Sequence, residues 1–176
     1  MPGVNEKAPR SRYTSVRFWL YAIAFSLAFA LAASELGLVS AELQRGGNSY
    51  ANYPGMEYKH DLGLLLFTCI AEFLFLIGHF YISVGLSAFV TFVLAIFWGT
   101  GAGVLFAVSP FRATNCDNPA NTFPPNWQPY TDRCDLIVAM QGIAWALWGL
   151  HVLMLFGMLA HLLQIKVRPN VSFYKV

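Results

Sequence analysis

The chain has 176 residues, of which 57% are hydrophobic and only 11% are charged, and its formal net charge is +2. Soluble domains carry about 25% charged residues, so this composition excludes an ordinary water-facing surface and indicates an integral membrane protein. The small net charge gives no indication of nucleic-acid binding.

Four apolar runs follow one another along the chain, at residues 18–41, 62–82, 84–108 and 136–163. Each is long enough to cross a hydrocarbon core of about 30 Å, which takes roughly 18–20 helical residues. Helices are required because backbone groups in lipid must be paired within the segment. A soluble bundle would need polar helix faces, which these runs lack. The predicted fold is therefore an all-α integral membrane four-helix bundle.

The first run also has a second interpretation. The stretch RFWLYAIAFSLAFALAAS has a basic flank and a small-residue end, as a cleavable signal peptide does. Apolarity resumes after Glu35 with LGLVSA, which makes the run longer than a typical signal core. We interpret the run as the first span, with cleavage as the alternative.

Basic residues predict the orientation of the spans. Seven of the eleven lysines and arginines lie near the two ends of the chain, and four lie in the loops after the first and third runs. The positive-inside rule then places both termini in the cytoplasm and both loops outside. We divide the chain into a tail at 1–16, a four-span domain at 17–165 and a tail at 166–176. The N-x-S sequon at 170–172 would be cytoplasmic and unglycosylated.

Small residues recur at every fourth position or nearly so on three of the spans. Such stripes let helix backbones approach closely, either within one bundle or between neighbouring copies, and the sequence leaves both alternatives open. The main stripe, on the third span, is Ala95, Gly99, Gly103 and Ala107; the others are Ala22, Ser26, Ala30 and Ser34 on the first span, and Gly142, Ala146 and Gly149 on the fourth.

Three ionisable residues need an explanation within the apolar runs: Glu35, Glu72 and His151. His79 and His161 lie near the predicted cytoplasmic ends, where an interfacial position suffices. A carboxylate at the bilayer centre costs about 2.5–3.5 kcal/mol, so the first three residues should face the bundle interior and have partners. Glu72 and His151 are expected about 6 Å apart in depth, a gap that helix tilt could close. The alternatives are a structural hydrogen bond of Glu72 with a histidine or hydroxyl, a proton or ion site, and a contact with lipid headgroups.

The loop before the fourth run contains two of the three cysteines. Cys116 and Cys134 would lie on the oxidising side of the membrane, so we predict a disulfide worth roughly 3 kcal/mol. Trp127 and Tyr130 in this loop either rest on the headgroups or form a surface for a partner. Cys69, in the second run, is interpreted as a small core residue.

Motifs of catalysis, zinc binding and quinone redox chemistry are missing from the sequence. The tails are too short for a separate domain. We therefore expect a protein that is not an enzyme and has neither a cofactor nor a metal.

The topology and the cysteine pair resemble the MARVEL family of four-span membrane proteins. The third-to-fourth loop, closed by Cys116 and by Arg133-Cys134 before the helix IVAMQGIAWALWGL, is similar to its fungal branch. The resemblance covers about residues 17–165. Claudins carry their cysteine pair in the first outer loop, and tetraspanins carry a Cys-Cys-Gly motif, so both fit less well.

The resemblance implies a non-enzymatic tetraspan that organises membrane patches or takes part in trafficking. The implied partners are membrane lipids, with sterols and sphingolipids as candidates, and other membrane proteins in a homo-oligomer or hetero-complex. The implied location is the plasma membrane or secretory-pathway vesicles. The alternatives are a small transporter or channel subunit, with Glu72 and His151 on a polar path, and an accessory subunit of a larger complex.

Overall fold

A computed structural model describes residues 16–167, with side chains described for residues 18–163. The sequon at 170–172 and most of both predicted tails therefore lie outside the described residues. Four long helices make up the fold, and each is long and apolar enough to cross a membrane. These helices are α1 (Val16–Gly46), α2 (Met56–Gly78), α3 (Val84–Val108) and α4 (Cys134–Val167). The predicted all-α four-helix bundle is confirmed.

The helix bounds match the prediction for the third span and depart from it elsewhere. Helix α1 continues to Gly46 and stops where Gly47 takes a left-handed φ of 61°, as residues just beyond a helix commonly do. Helix α2 begins six residues before the predicted start at 62 and ends four before 82. The turn after it ends at Ser83, whose hydroxyl accepts a hydrogen bond from the Leu86 N–H and caps α3.

Each helix packs against the two that are its neighbours in a square bundle. Helix α1 contacts α2 and α4, and α3 contacts α2 and α4, with the α3–α4 contact the most extensive. We call the end with the two long loops the loop end, and the end with the short α2–α3 turn the turn end. Large apolar side chains remain exposed along the outer faces, including Leu74, Ile77 and Leu153.

The interior is divided into two apolar clusters of unequal size. The larger cluster extends from the loop end through the middle of the bundle and includes Tyr58, Leu65 and Trp98. The smaller one consists of Ala88, Met154 and Met158 near the turn end. Most of the buried apolar side chains therefore lie at the loop end and in the middle of the bundle.

The α3–α4 loop folds back over the loop end as a cap. The predicted disulfide between Cys116 and Cys134 is confirmed, with 5.4 Å between the Cα atoms. Trp127 is only 3% exposed, and its ring lies 5.3 Å from the rings of both Tyr58 and Phe111. Both alternatives for Trp127 therefore need correction, because the indole packs into the protein and reaches neither headgroups nor a partner.

Candidate functional site

Four acidic side chains are buried in the interior of the bundle. Glu35 and Glu42 come from α1, and Asp61 and Glu72 come from α2; none is more than 3% exposed. Residues seven apart on α1 and eleven apart on α2 lie about two and three turns from each other, so each pair shares one helix face. We call these four residues and His151 the acidic column.

Arginines partner the column at the loop end. Glu42 Oε1 lies 3.5 Å from Arg45 Nη1, and Glu42 Oε2 lies 3.6 Å from Arg133 Nη1. The Tyr58 hydroxyl donates to Glu42 Oε2 over 3.5 Å. A buried carboxylate needs such partners, because an isolated charge in a low-dielectric interior is strongly unfavourable.

Glu72 and His151 meet at the deep end of the column. His151 Nε2 lies 2.9 Å from Glu72 Oε2, although the direction of the ring N–H falls short of hydrogen-bond geometry. The Trp98 indole N–H donates to the same Oε2 over 3.3 Å. His151 Nδ1 faces the Leu147 carbonyl at 2.8 Å, and a carbonyl only accepts, so Nδ1 carries a hydrogen.

The gap of about 6 Å expected between these two residues reflects the predicted helix ends. Helix α2 begins at Met56 and α4 at Cys134, which places Glu72 16 residues and His151 17 residues from the loop-end terminus of its own helix. The two side chains therefore lie at the same depth without any need for tilt.

Glu35 and Asp61 occupy the middle of the column. Neither carboxylate has a hydrogen-bond partner among the residues that the structure describes, and the two interact electrostatically with each other. A Cβ on Gly101 of α3 would lie 3.7 Å from Asp61 Oδ1 and 2.6 Å from Leu65 Cδ2. The α3 backbone therefore closes this side of the column.

Two further side chains connect the middle of the column to its ends. Tyr58 interacts electrostatically with both Glu42 and Asp61, and Cys69 does so with both Glu35 and Glu72. Ionisable groups thus succeed one another from the surface at Arg133 to the centre of the bundle. Cys69 is buried and has no disulfide partner, as expected of a core residue.

Three of the five residues of the acidic column were predicted from the sequence. Glu35, Glu72 and His151 are all 0% exposed, as their positions in apolar runs predict. Glu42 and Asp61 were missed because they were assigned to a loop. The seven-residue spacing of Glu35 and Glu42 on one helix face was the signal that could have found Glu42.

The small-residue stripes divide between inward and outward positions. On α3, Ala95 is buried, and a Cβ on Gly99 would lie 2.7 Å from Trp148 Cδ1 of α4. A Cβ on Gly103 would meet nothing within 4 Å, and Ala107 is exposed. The stripes on α1 and α4 are mostly exposed, at Ser26, Ala30, Ser34, Gly142 and Ala146.

An apolar groove separates α1 from α4 in the half of the bundle nearest the turn end. It has a volume of about 420 Å³ and is lined on α1 by residues such as Ile23 and Ala24, and on α4 by Leu153 and Gly157. Tyr21 and His161 supply its polar atoms. The groove has the size of a small-molecule site and is open to the outer surface.

The fold and these features define a four-helix bundle of membrane-spanning length with a disulfide-closed cap and a buried acidic column. Within residues 16–167 no group of histidine, cysteine and acidic side chains could hold a metal ion. Comparison of the chain with protein-family models, curated proteins and solved structures finds no match. The resemblance to the MARVEL family therefore rests on topology and the cysteine pair.

Proposed function

We propose that the protein is a non-enzymatic, MARVEL-like tetraspan that organises membrane patches or takes part in trafficking. It acts through lateral association and lipid contacts, at the plasma membrane or in secretory-pathway vesicles. Both termini are cytoplasmic and the disulfide-closed cap is outside, since disulfides persist only in oxidising compartments.

The observation that carries this proposal is the outward position of the small-residue stripe on α1. The bundle itself packs α1 through Ala28 and Ala32, which are 0% exposed. Ser26, Ala30 and Ser34 face away from the bundle and are not used within it. A small-residue face on a spanning helix supports close approach of a second helix, here that of another copy or of a different membrane protein.

The groove between α1 and α4 supports the lipid contacts. Its walls are almost entirely aliphatic and it opens where lipid would surround the helices. A lipid with a rigid or slender apolar body, such as a sterol or the chain of a sphingolipid, matches this chemistry. Gly157 has no side chain to occupy the groove. A Cβ at this position would point into open space, with only the Tyr21 hydroxyl oxygen within 4 Å, at 3.7 Å.

Transport is a weaker alternative for this chain. A transporter or channel subunit would need a hydrated path that reaches Glu72, whereas Glu72 and His151 are 0% exposed. An accessory role in a larger complex would use the same outward stripe, with a different protein as the partner.

Paired substitutions on α1 and α2 test the lateral association. Ala30→Leu places a bulky side chain on the stripe, and Gly63→Leu places the same side chain on the exposed surface of α2, where a Cβ would meet nothing within 4 Å. In vesicles, energy transfer between labelled copies should fall several-fold for Ala30→Leu and stay unchanged for Gly63→Leu. Equal behaviour of the two variants would remove the stripe from the proposal.

Lipid binding and orientation have their own tests. Gly157→Phe fills the groove and should abolish labelling by a photoactivatable sterol or sphingolipid, whereas Gly142→Phe, on the exposed α4 surface near the loop end, should not.

Sensitivity of the expressed protein to an N-glycan-removing enzyme would place the sequon at 170–172 outside and overturn the orientation.

A further inference from the structure

The acidic column contains more carboxylates than it has cations to pair with them. Glu42 has Arg45 and Arg133, and Glu72 has His151. Glu35 and Asp61 have no cation and no hydrogen-bond donor among the described residues. Because two adjacent unpaired charges cannot persist in a low-dielectric interior, the pair must hold at least one additional positive species.

The Glu72–His151 contact also requires such a species. Since Nδ1 of His151 already carries the hydrogen that faces Leu147, Nε2 of a neutral ring would be an acceptor. A contact of 2.9 Å between an acceptor nitrogen and a carboxylate oxygen is repulsive unless one of the two groups is protonated. The Glu72–His151 pair therefore holds one proton beyond the hydrogen on Nδ1.

The burial of the column indicates which positive species it can hold. The five side chains of the column are at most 3% exposed, and no group within residues 16–167 could coordinate a metal ion. A proton, unlike a hydrated cation, needs neither a coordinating group nor a water-filled cavity. We propose that the acidic column is a proton-binding site, in which Glu35, Asp61 and the Glu72–His151 pair take up protons from the loop end. This proposal is independent of the proposed tetraspan function.

The two ends of the bundle differ in a way that makes loading one-sided. At the loop end, Arg133 is 25% exposed beside Glu42, and the Tyr58 hydroxyl interacts with both Glu42 and Asp61. Glu42 is therefore the carboxylate of the column nearest to solvent, and protons reach Asp61 and Glu35 from this end. Uptake of one proton from solvent converts one carboxylate of the column to a carboxylic acid, and a carboxyl group that passes its proton on becomes ionised again.

Below His151, the interior towards the turn end is closed by Ala88, Met154 and Met158. The Thr91 hydroxyl there donates only to the Met158 sulfur, over 3.7 Å. Tyr21 packs against this apolar cluster, and the other titratable groups described at that end are His79, Tyr81 and His161.

Three of the four helices and the cap contribute titratable or charged groups to the column or beside it. Helix α3 contributes no titratable side chain and presents only the Trp98 N–H. The titratable and charged groups are Glu35, Glu42 and Arg45 on α1, Tyr53 in the loop after α1, Tyr58, Asp61, Cys69 and Glu72 on α2, Tyr130 and Arg133 in the cap and His151 on α4.

Infrared spectroscopy of the full chain in lipid vesicles tests the proposal. The wild type should retain a protonated-carboxyl band at about pH 7, although the carboxyl groups of aspartate and glutamate ordinarily have a pKa of about 4. Glu35→Gln and Asp61→Asn should each change the frequency or the intensity of the band, because each removes one carboxyl group of the proton-holding pair. Glu57→Gln, an exposed position on α2, is the matched control and should leave the band unchanged.

The spectrum of the wild type alone shows whether a protonated carboxyl group is present at neutral pH. The proposal can therefore be tested even if a variant fails to fold. Absence of the band at neutral pH overturns the proposal, as does a band that Glu35→Gln and Asp61→Asn alter no more than Glu57→Gln does. In vesicles of uniform orientation, a pH change on the loop-end side should shift the band before one on the turn-end side does. An equal response from both sides would overturn one-sided loading.

Discussion

The loop half and the turn half of the bundle share the same four apolar helices but are held together by different interactions. The loop half contains the acidic column, the Trp127 cap and the disulfide. The turn half has a small methionine cluster, and there α1 and α4 separate to form the groove. In lipid, apolar side chains gain little from contact with another helix. Polar pairs and a covalent link therefore hold the loop half closed. The turn half has few such interactions, and its helices separate.

The largest expected effect comes from the Glu72–His151 pair. His151→Leu leaves a buried carboxylate without its partner and should lower the free energy of unfolding by about 3–5 kcal/mol. The double variant Glu72→Leu/His151→Leu should recover most of this loss, because it removes both charges. Thermal unfolding in lipid or detergent measures both, with exposed His60→Leu as the control. A double variant no more stable than His151→Leu would contradict this account of the loop half.

The disulfide should have the next largest effect. Cys116→Ser and Cys134→Ser should each lower the free energy of unfolding by about 2–4 kcal/mol, since both remove the same bond. The double exchange should cost about as much as either single one, because the two cysteines act as a unit. Helix content should persist in all three variants. Additive losses in thermal unfolding would show that the cysteines contribute separately.

Two glycines on α3 sharpen the comparison at the level of packing. Gly101→Ala would force a Cβ to within 2.6 Å of the buried Leu65 and should cost about 1 kcal/mol, after the gain in helix propensity. Gly103→Ala meets open space and should stabilise the protein by about 0.5–1 kcal/mol. Unfolding midpoints measure both. The same sign of change for both variants would mean that Leu65 yields freely.

The smallest expected effect concerns one hydroxyl from each half. Tyr58→Phe removes the hydrogen bond to Glu42 and should cost about 1 kcal/mol. Thr91→Val removes only the contact with the Met158 sulfur and should change the free energy of unfolding by less than about 0.5 kcal/mol. Equal losses in a side-by-side denaturation experiment would erase the proposed difference between the halves.

Hydropathy predicted the four helices because apolarity over some twenty residues is a local property of the chain. The disulfide was predictable because the loop contains only two cysteines. The start of α2 was not, since its first turn holds Glu57 and Lys59, which a hydropathy window reads as loop. Asp61 follows that turn and was assigned to the same loop, so it was not predicted to belong to the acidic column.

Other features of the loop half depend on contacts between distant parts of the chain. The packing of Trp127 against Tyr58 joins residues almost seventy positions apart, and no local pattern indicates it. Asp61 and Gly101 likewise meet only because α2 and α3 cross there. The direction in which the α1 stripe faces was also beyond the sequence, since both alternatives need the same residues.

The position of the disulfide sets an order of events during biosynthesis. Cys134 is the first residue of α4, so its bond to Cys116 must wait until the chain beyond α3 has been translated and has reached an oxidising compartment. The first three helices are already made by then. Arg133, the residue before Cys134, reaches Glu42 in the same late step. A newly synthesised chain therefore passes through a thiol form with an open cap, and conversion to the disulfide form marks its maturation.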